Sequence, residues 1–328
     1  MSCVLDHALC LYLWGKMMRK NSNQNLLQKQ KFRFNMLVFC LIGLLLSACS
    51  QTATHVGAFS QASEDLVEQT ITAYDLLNES SIDRNIYDIA AEPPVLPDDD
   101  TFLGLFDRND SLRIRMKALK LLQSYTIALG ELSAASFRED IDKAAADIYG
   151  ALTGLRDSYQ EAKGETLDIS NESLAIVSTA FNAIATSVTE KKRREAMKVV
   201  ILEADPVIQS ISALLKEELP IFIEYATANL ASVESEMILA YRKESPGLDF
   251  QGRVLFLEKI RVQNKKKLGA ASFFEDASKA AGILGKAHHT LRNAVEKNKF
   301  TTPELVKQIG QLSGFAKSMK MFYDELDT

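Results

Sequence analysis

Cysteine, tryptophan, proline and glycine are all scarce in this chain of 328 residues, and each shortage excludes a class of protein. All four cysteines and the single tryptophan lie within the first 49 residues, so the remainder has no disulfide framework. Fifteen glycines and seven prolines are too few for a collagen-like or proline-rich chain. A hydrophobic share of 47% with 25% charged residues is typical of a globular protein and excludes disorder. The net charge of −5 gives no electrostatic reason to expect nucleic acid as a partner.

The first fifty residues have the pattern of an export signal. Residues 16–35 contain six basic side chains and no acid, namely Lys16, Arg19, Lys20, Lys29, Lys31 and Arg33. An apolar run of eleven residues, 36–46, follows them and leads into small residues. A basic region, a short apolar region and small residues before a cleavage point define such a signal. The run is too short to cross the roughly 30 Å hydrocarbon layer as a helix.

The residues that close this run are Leu46, Ser47, Ala48 and Cys49. They resemble the lipobox of bacterial lipoproteins, Leu-[Ala/Ser]-[Gly/Ala]-Cys, and the resemblance covers residues 16–50. It implies that a signal peptide, residues 1–48, is removed and that Cys49 is acylated, for example with palmitate, as the first residue of the mature protein. Ser50, rather than Asp, implies an outer-membrane anchor with the body facing the periplasm. The alternative interpretation is a buried apolar strand with a core cysteine.

The start of the chain departs from the lipoprotein pattern, because at least fifteen residues precede the basic region. We therefore expect translation to begin at Met17 or Met18. Cleavage before Cys49 would leave 280 residues, 32 of them basic and 42 acidic, with a net charge of −10. Several acyl chains on one residue are enough for stable membrane attachment. Residues 49–60 are mostly small or polar and are predicted to be a flexible tether.

From residue 61 onward the apolar residues recur at helical spacing, which predicts an all-α protein of about eight helices. No alternating run bounded by turn residues predicts a strand. Predicted helix starts are Asp110, Asp205-Pro206 and Thr302-Pro303, and predicted breaks are 92–100 and 245–247. Pro220 is predicted to kink one long helix that continues from 205 to about Lys243. Ser-x-x-Glu capping boxes at 136–139 and 272–275 predict two further starts.

An internal repeat is the most informative feature of the helical part. Residues 133–157 and 269–293 match at a constant offset of 136, with twelve of 25 positions identical. This match predicts two related units of about four helices each, 61–204 and 205–328. They would form either two bundles or one merged helical body. The alternative is that two helix starts converged on good capping residues.

No motif for catalysis or metal binding occurs beyond the signal, so we predict no catalytic residue, no metal and no cofactor. His288 and His289 are adjacent, and on a helix they point about 100° apart, so both cannot easily bind one metal ion. In the repeat His288 takes the place of Leu152, which predicts a half-buried position.

Two basic runs stand out and form a candidate contact patch: Lys191, Lys192, Arg193 and Arg194, and then Lys265, Lys266 and Lys267. Four consecutive charges surround a helix, so that turn cannot be deeply buried. The functional interpretation is contact with lipid phosphates or with an acidic partner. The alternative is a solvated helix end.

The sequence as a whole predicts a membrane-anchored helical lipoprotein of the bacterial cell envelope. Its predicted role is that of a non-enzymatic binding or scaffold protein, held in the membrane through Cys49 and contacting an envelope protein. The first alternative is a periplasmic carrier that holds an apolar ligand or lipid between helices. An envelope enzyme is the second alternative, favoured less because no catalytic motif supports it.

Overall fold

A computed structural model describes residues 26–91, 97–135, 138–163, 190–297 and 302–326. In these residues the chain forms eight α-helices and no strand, which confirms the all-α prediction. The helices are α1 (Leu26–Ala91), α2 (Leu105–Arg108), α3 (Asp110–Ala134), α4 (Arg138–Lys163), α5 (Glu190–Glu218), α6 (Ile221–Glu244), α7 (Phe250–Glu296) and α8 (Pro303–Leu326). Short 3-10 helices at Asp99–Phe102 and Ser245–Gly247 connect some of them.

The chain divides into two compact units, Met1–Ser50 and Gln51–Thr328. In the first unit the structure describes only the backbone of α1 from Leu26 onward, and residues 46–49 of the predicted lipobox lie in this helix. The possible starts at Met17 and Met18 lie outside the described residues. Lipidation of Cys49 therefore stays a prediction. All side-chain contacts below belong to the second unit.

The predicted flexible tether is wrong for residues 51–60, because these residues are helical and Val56, Phe59 and Ser60 among them are buried. Val56 and Phe59 are completely buried, and burial of their apolar surface stabilises the helix there. Residues 51–91 of α1 contact four other helices. The contacts are Ser60 with Thr126 of α3, Phe59 with His288 of α7, Tyr74 with Phe222 of α6, and the carbonyl of Thr72 with Tyr323 of α8.

The other long helices pack in antiparallel contacts, with α3 against α4 and with α5, α6 and α8 each against α7. The 47 residues of α7 make it roughly 70 Å long, so three other helices can pack along it. Gln209 of α5 donates to the carbonyl of Gly285 at 2.5 Å, and a Cβ at Gly285 would lie 3.0 Å from Cβ of Ser212. The small residue therefore allows α5 and α7 to approach closely.

Two predicted helix starts are wrong. Pro206 lies inside α5, where its ring is exposed to solvent and the helix lacks one backbone hydrogen bond, because proline has no amide N–H. The helix α7 runs unbroken through Ser272 and Glu275. The carboxylate of Glu275 does not cap a helix but forms an ion pair with Lys279, one turn along α7, at 3.3 Å. The predicted boundary between residues 204 and 205 therefore falls within a helix.

Other predicted ends agree with the structure. The amide of Leu305 donates to the hydroxyl of Thr302 at 3.3 Å at the start of α8. The cap of α3 is Asn109, one residue before the predicted Asp110. Residues 245–247 end α6 as predicted. The single kinked helix through Pro220 is wrong, because α5 ends at Glu218 and α6 begins at Ile221, with Pro220, which has no amide N–H, between them. Residues 136–137 of the first capping box lie outside the described ranges.

The two segments of the repeat bury corresponding positions. The buried pairs are Ala144 and Ala280, Ile148 and Leu284, Ala151 and Ala287, Leu152 and His288, and Leu155 and Leu291. One stripe of each segment thus faces a neighbouring helix. The duplication itself stays a prediction.

Glycine substitutions test the contact between α7 and α8. A Cβ at Gly269 would lie 2.0 Å from Cε2 of Phe322, so Gly269→Ala displaces the Phe322 ring from its packing and should lower the free energy of unfolding by about 1–3 kcal/mol. Gly314 of α8 has nothing within 4 Å of such a Cβ, so Gly314→Ala should raise that free energy by about 0.5–1 kcal/mol. Urea unfolding measures both. Equal effects of the two substitutions would contradict the described packing.

Candidate functional site

Four polar side chains from three helices form a hydrogen-bonded chain that we name the His–Asp cluster: Tyr125 of α3, Asp205 of α5, and His288 and His289 of α7. The hydroxyl of Tyr125 lies 2.9 Å from Nε2 of His288. Nδ1 of His288 lies 2.8 Å from one carboxylate oxygen of Asp205, and Nδ1 of His289 lies 2.9 Å from the other. These contacts tie α3, α5 and α7 together.

The helix geometry explains why adjacent histidines reach one carboxylate. The rings of His288 and His289 leave the helix about 100° apart, and Asp205 lies on the facing helix between these two directions. Gln209, one turn along α5, adds a third donor to Asp205 at 3.2 Å. The two histidines therefore bind the two oxygens of one carboxylate, although their directions do not easily allow both to bind one metal ion.

Burial and charge decide the protonation of the cluster. Burial alone would raise the pKa of Asp205, but hydrogen bonds from His288, His289 and Gln209 outweigh burial and lower this pKa below the ordinary value of 3.8. An ionised carboxylate only accepts hydrogen bonds, so both histidines donate through Nδ1. Burial, with the nearby charge of Asp205, raises the pKa of Tyr125. The Tyr125 hydroxyl therefore keeps its proton beside Nε2 of His288.

The cluster is almost sealed from solvent. His288 is 0% exposed and Tyr125 is completely buried, whereas the side chain of His289 is 53% exposed. The order of Tyr125, His288 and Asp205 matches that of a nucleophile, a base and an orienting acid, but a substrate cannot touch a buried hydroxyl in this arrangement. What the cluster does in the structure is brace three helices and leave one imidazole edge at the surface.

A second polar cluster lies where α1, α3 and α5 meet. Nη2 of Arg115 lies 2.6 Å from Oε1 of Glu218, and both side chains are largely buried. The hydrogen bond to Glu218 raises the pKa of Arg115. Burial and the charge of Glu218 raise the pKa of Tyr74. This pair is a structural contact between distant parts of the sequence.

The structure does not bring the two predicted basic runs together. Arg193, near the start of α5, donates to the carbonyl of Ala135. Lys198 of the same helix reaches the carbonyl of Glu296 at 3.3 Å. Glu296 lies 30 residues beyond Lys266 along α7, which is roughly 45 Å.

Side chains of neighbouring helices attract part of the second run. Lys267 pairs with Glu234 of α6, and the charge of Lys266 acts on Asp83 of α1. Of the first run, Lys191 is exposed, whereas Lys192, Arg193 and Arg194 are half-buried. The candidate contact patch is thus two separate basic sites, and its role as a contact stays a prediction.

Sequence reasoning missed Asp205 and Tyr125 as members of the polar cluster. Asp205 precedes Pro206, and that pair is typical of a helix start, so the sequence predicts a capping role for this carboxylate. His288 was predicted to be half-buried and is completely buried. A buried histidine needs polar partners, and this requirement was the one signal in the sequence for such a cluster.

Within the described residues, no helix contains a stretch long and apolar enough to cross a bilayer. Within the same residues, no three side chains of His, Cys, Asp or Glu converge as ligands of a metal ion.

No protein family matches this chain, and no curated protein or solved structure is significantly similar to it.

Proposed function

We propose that the protein is an exported lipoprotein whose helical body is a non-enzymatic binding or scaffold protein of the bacterial envelope. It is anchored in the outer membrane through acylated Cys49 and faces the periplasm. The observation that carries the proposal is the order of a basic region, an eleven-residue apolar run and the lipobox Leu46 to Cys49. A lone Leu-Ser-Ala-Cys would carry little weight, whereas the same four residues at the end of an export signal fit acylation.

The arrangement of the helical body supports a binding role. The groups best suited to chemistry, Tyr125 and His288, are buried among helices and hold the fold together. Large apolar side chains, by contrast, lie exposed on the surface of α6 and α7, among them Ile221, Phe250 and Leu268. Exposed apolar side chains on long helices commonly form the contacts with other macromolecules.

Acylation is tested by labelling cells that express the protein with radioactive palmitate. We expect the wild type to carry label and to remain with the membrane fraction. Cys49→Ser should abolish the label because the acylated sulfur is gone. Cys40→Ser, which changes a cysteine inside the apolar run, is the matched control and should keep the label. Label on Cys49→Ser, or its loss in Cys40→Ser alone, would contradict the proposed anchor.

A further inference from the structure

The far end of the hairpin formed by α6 and α7 has no buried residue between positions 238 and 262. The last buried residue of α6 is Met237, and the first of α7 is Gln263. The two helices still contact each other here, because the rings of Tyr241 and Phe256 lie 5.5 Å apart. We name residues 238–262 the hairpin arm. It is supported by contacts between its own two helices.

Four large apolar side chains of the hairpin arm are strongly exposed. They are Leu239, Phe250, Leu255 and Leu257. Phe250 begins α7 directly after the turn at the end of the arm and is 74% exposed. Removing these side chains from water would be favourable by roughly 25 cal/mol per Å² of apolar surface.

The hairpin arm is basic within an acidic chain. It has five basic and three acidic residues, net +2, whereas the remainder of the chain has net −7. Two of its acids are engaged, since Asp249 caps α7 through the amide of Gly252 at 2.7 Å and Glu258 pairs with Arg261 at 2.6 Å. The remaining basic residues include Arg242, Lys243 and Lys259. These three have no ion pair with any described residue.

We propose that the hairpin arm binds the surface of an anionic lipid bilayer. Phe250 and its apolar neighbours enter the boundary between headgroups and acyl chains, while Arg242 and Lys243 contact lipid phosphates. Apolar side chains combined with basic ones are what binds a helix to such a surface. Long basic side chains can bury their stems and keep their charges in the headgroup layer.

The distribution of the apolar residues favours a bilayer over a protein partner. Leu255 and Leu257 lie on opposite sides of α7, since two residues turn the helix by about 200°. The exposed apolar groups therefore surround the end of the hairpin and do not form one flat patch. A protein partner would need a cavity that covers several sides of the hairpin, whereas a bilayer surrounds any segment that is inserted into it. The positive charge of the arm fits anionic headgroups in addition.

This contact is independent of acylation at Cys49. The apolar and basic side chains that carry it all lie in residues 238–262. Failure of either proposal therefore leaves the other standing.

A tryptophan reporter in the full-length protein tests the proposal. Trp14→Phe removes the single natural tryptophan, and Phe250→Trp then reports on the hairpin arm. Vesicles of phosphatidylcholine, with or without phosphatidylglycerol, carry brominated acyl chains that quench a tryptophan in contact with lipid. We expect a blue shift and a loss of emission with anionic vesicles, and a weaker loss with neutral ones.

A second reporter and a charge variant serve as controls. Ile221→Trp places the reporter at the other end of α6, about 35 Å away, at a residue that is 68% exposed, close to the value for Phe250. Its emission should stay unchanged, because Ile221 lies outside the proposed lipid contact. Since the leader is present in both proteins, a difference between the two reporters reflects only their positions. Arg242→Glu combined with Lys243→Glu should remove the preference for anionic vesicles.

Three results would overturn the proposal. The first is no quenching of the Phe250→Trp reporter by anionic vesicles. The second is equal quenching of the reporters at Phe250 and Ile221, which would mean a contact that is not specific to the hairpin arm. The third is a blue shift of the Phe250→Trp reporter before vesicles are added, which would mean that the arm binds protein, such as a second copy of the chain.

Discussion

Asp205→Ala is expected to lower the free energy of unfolding by about 2–4 kcal/mol, because the largely buried carboxylate accepts three hydrogen bonds that the substitution removes. The substitution leaves the Nδ1 donors of His288 and His289 without their acceptor. Gln209 loses its bond to the carboxylate as well. Each buried donor without a partner costs about 1–3 kcal/mol. The three helices held by the His–Asp cluster should therefore separate at a lower urea concentration.

Asp205→Asn should cost less, about 1–2 kcal/mol, because an amide still offers one acceptor. Its nitrogen can donate to the exposed His289 once that ring changes tautomer. Asp157→Ala is the matched control at a surface pair, since the side chain of Asp157 is 56% exposed beside Arg156, and it should cost at most about 1 kcal/mol. Equal urea midpoints for Asp205→Ala and Asp157→Ala would contradict the described cluster.

The sign of the pH dependence follows from the lowered pKa of Asp205. A carboxyl group with a lower pKa in the folded chain than its ordinary value of 3.8 contributes its full stabilisation above that value. The contribution is lost as the pH falls through the folded-state pKa. The difference in stability between the wild type and Asp205→Ala should therefore shrink in acid below that ordinary value.

Alkaline pH is expected to unfold the protein steeply. Burial raises the pKa of Tyr74, Tyr125 and Tyr323 far above the ordinary value of 10. These phenols stay neutral in the folded chain but ionise in the unfolded chain above that value. Their contribution to stability is complete below pH 10 and is lost as the pH rises further. The three together should cost up to about 4 kcal/mol per pH unit.

Unfolding in urea at a series of alkaline pH values measures this slope. Replacing each of the three tyrosines by phenylalanine should remove about one third of the slope, because one proton fewer is released on unfolding. Tyr74→Phe should cost little at neutral pH, since the Tyr74 hydroxyl has no hydrogen-bond partner among the described residues. Tyr125→Phe should cost more, because Nε2 of the buried His288 then loses its hydrogen-bond partner. An unchanged slope in the triple variant would contradict the described burial.

The helical fold could be predicted from the sequence because it depends on local spacing. The apolar stripe of α8 and the Thr302-Pro303 start follow from residues close together in the chain. The helix start predicted at Asp205 is wrong because the role of this residue depends on a distant part of the chain. Its carboxylate binds His288, 83 residues away, and no local rule identifies a partner at that distance.

The candidate surface sites show the same limit. The run Lys265 to Lys267 is obvious in the sequence, but Glu234 and Asp83, which attract part of it, come from other helices. The hairpin arm could not be recognised either. Its apolar residues have helical spacing like those of the core, and exposure depends on which helices end beside them. Only the three-dimensional structure shows that residues 238–262 include no buried residue.

The mass of the N-terminal peptide of the protein, isolated from bacterial membranes and digested, tests the central claim most directly. Our account predicts a peptide that begins at Cys49 and carries the added mass of acyl chains, with residues 1–48 absent. A peptide that extends from the leader through an unmodified Cys49 would contradict the account, whatever the helical body binds.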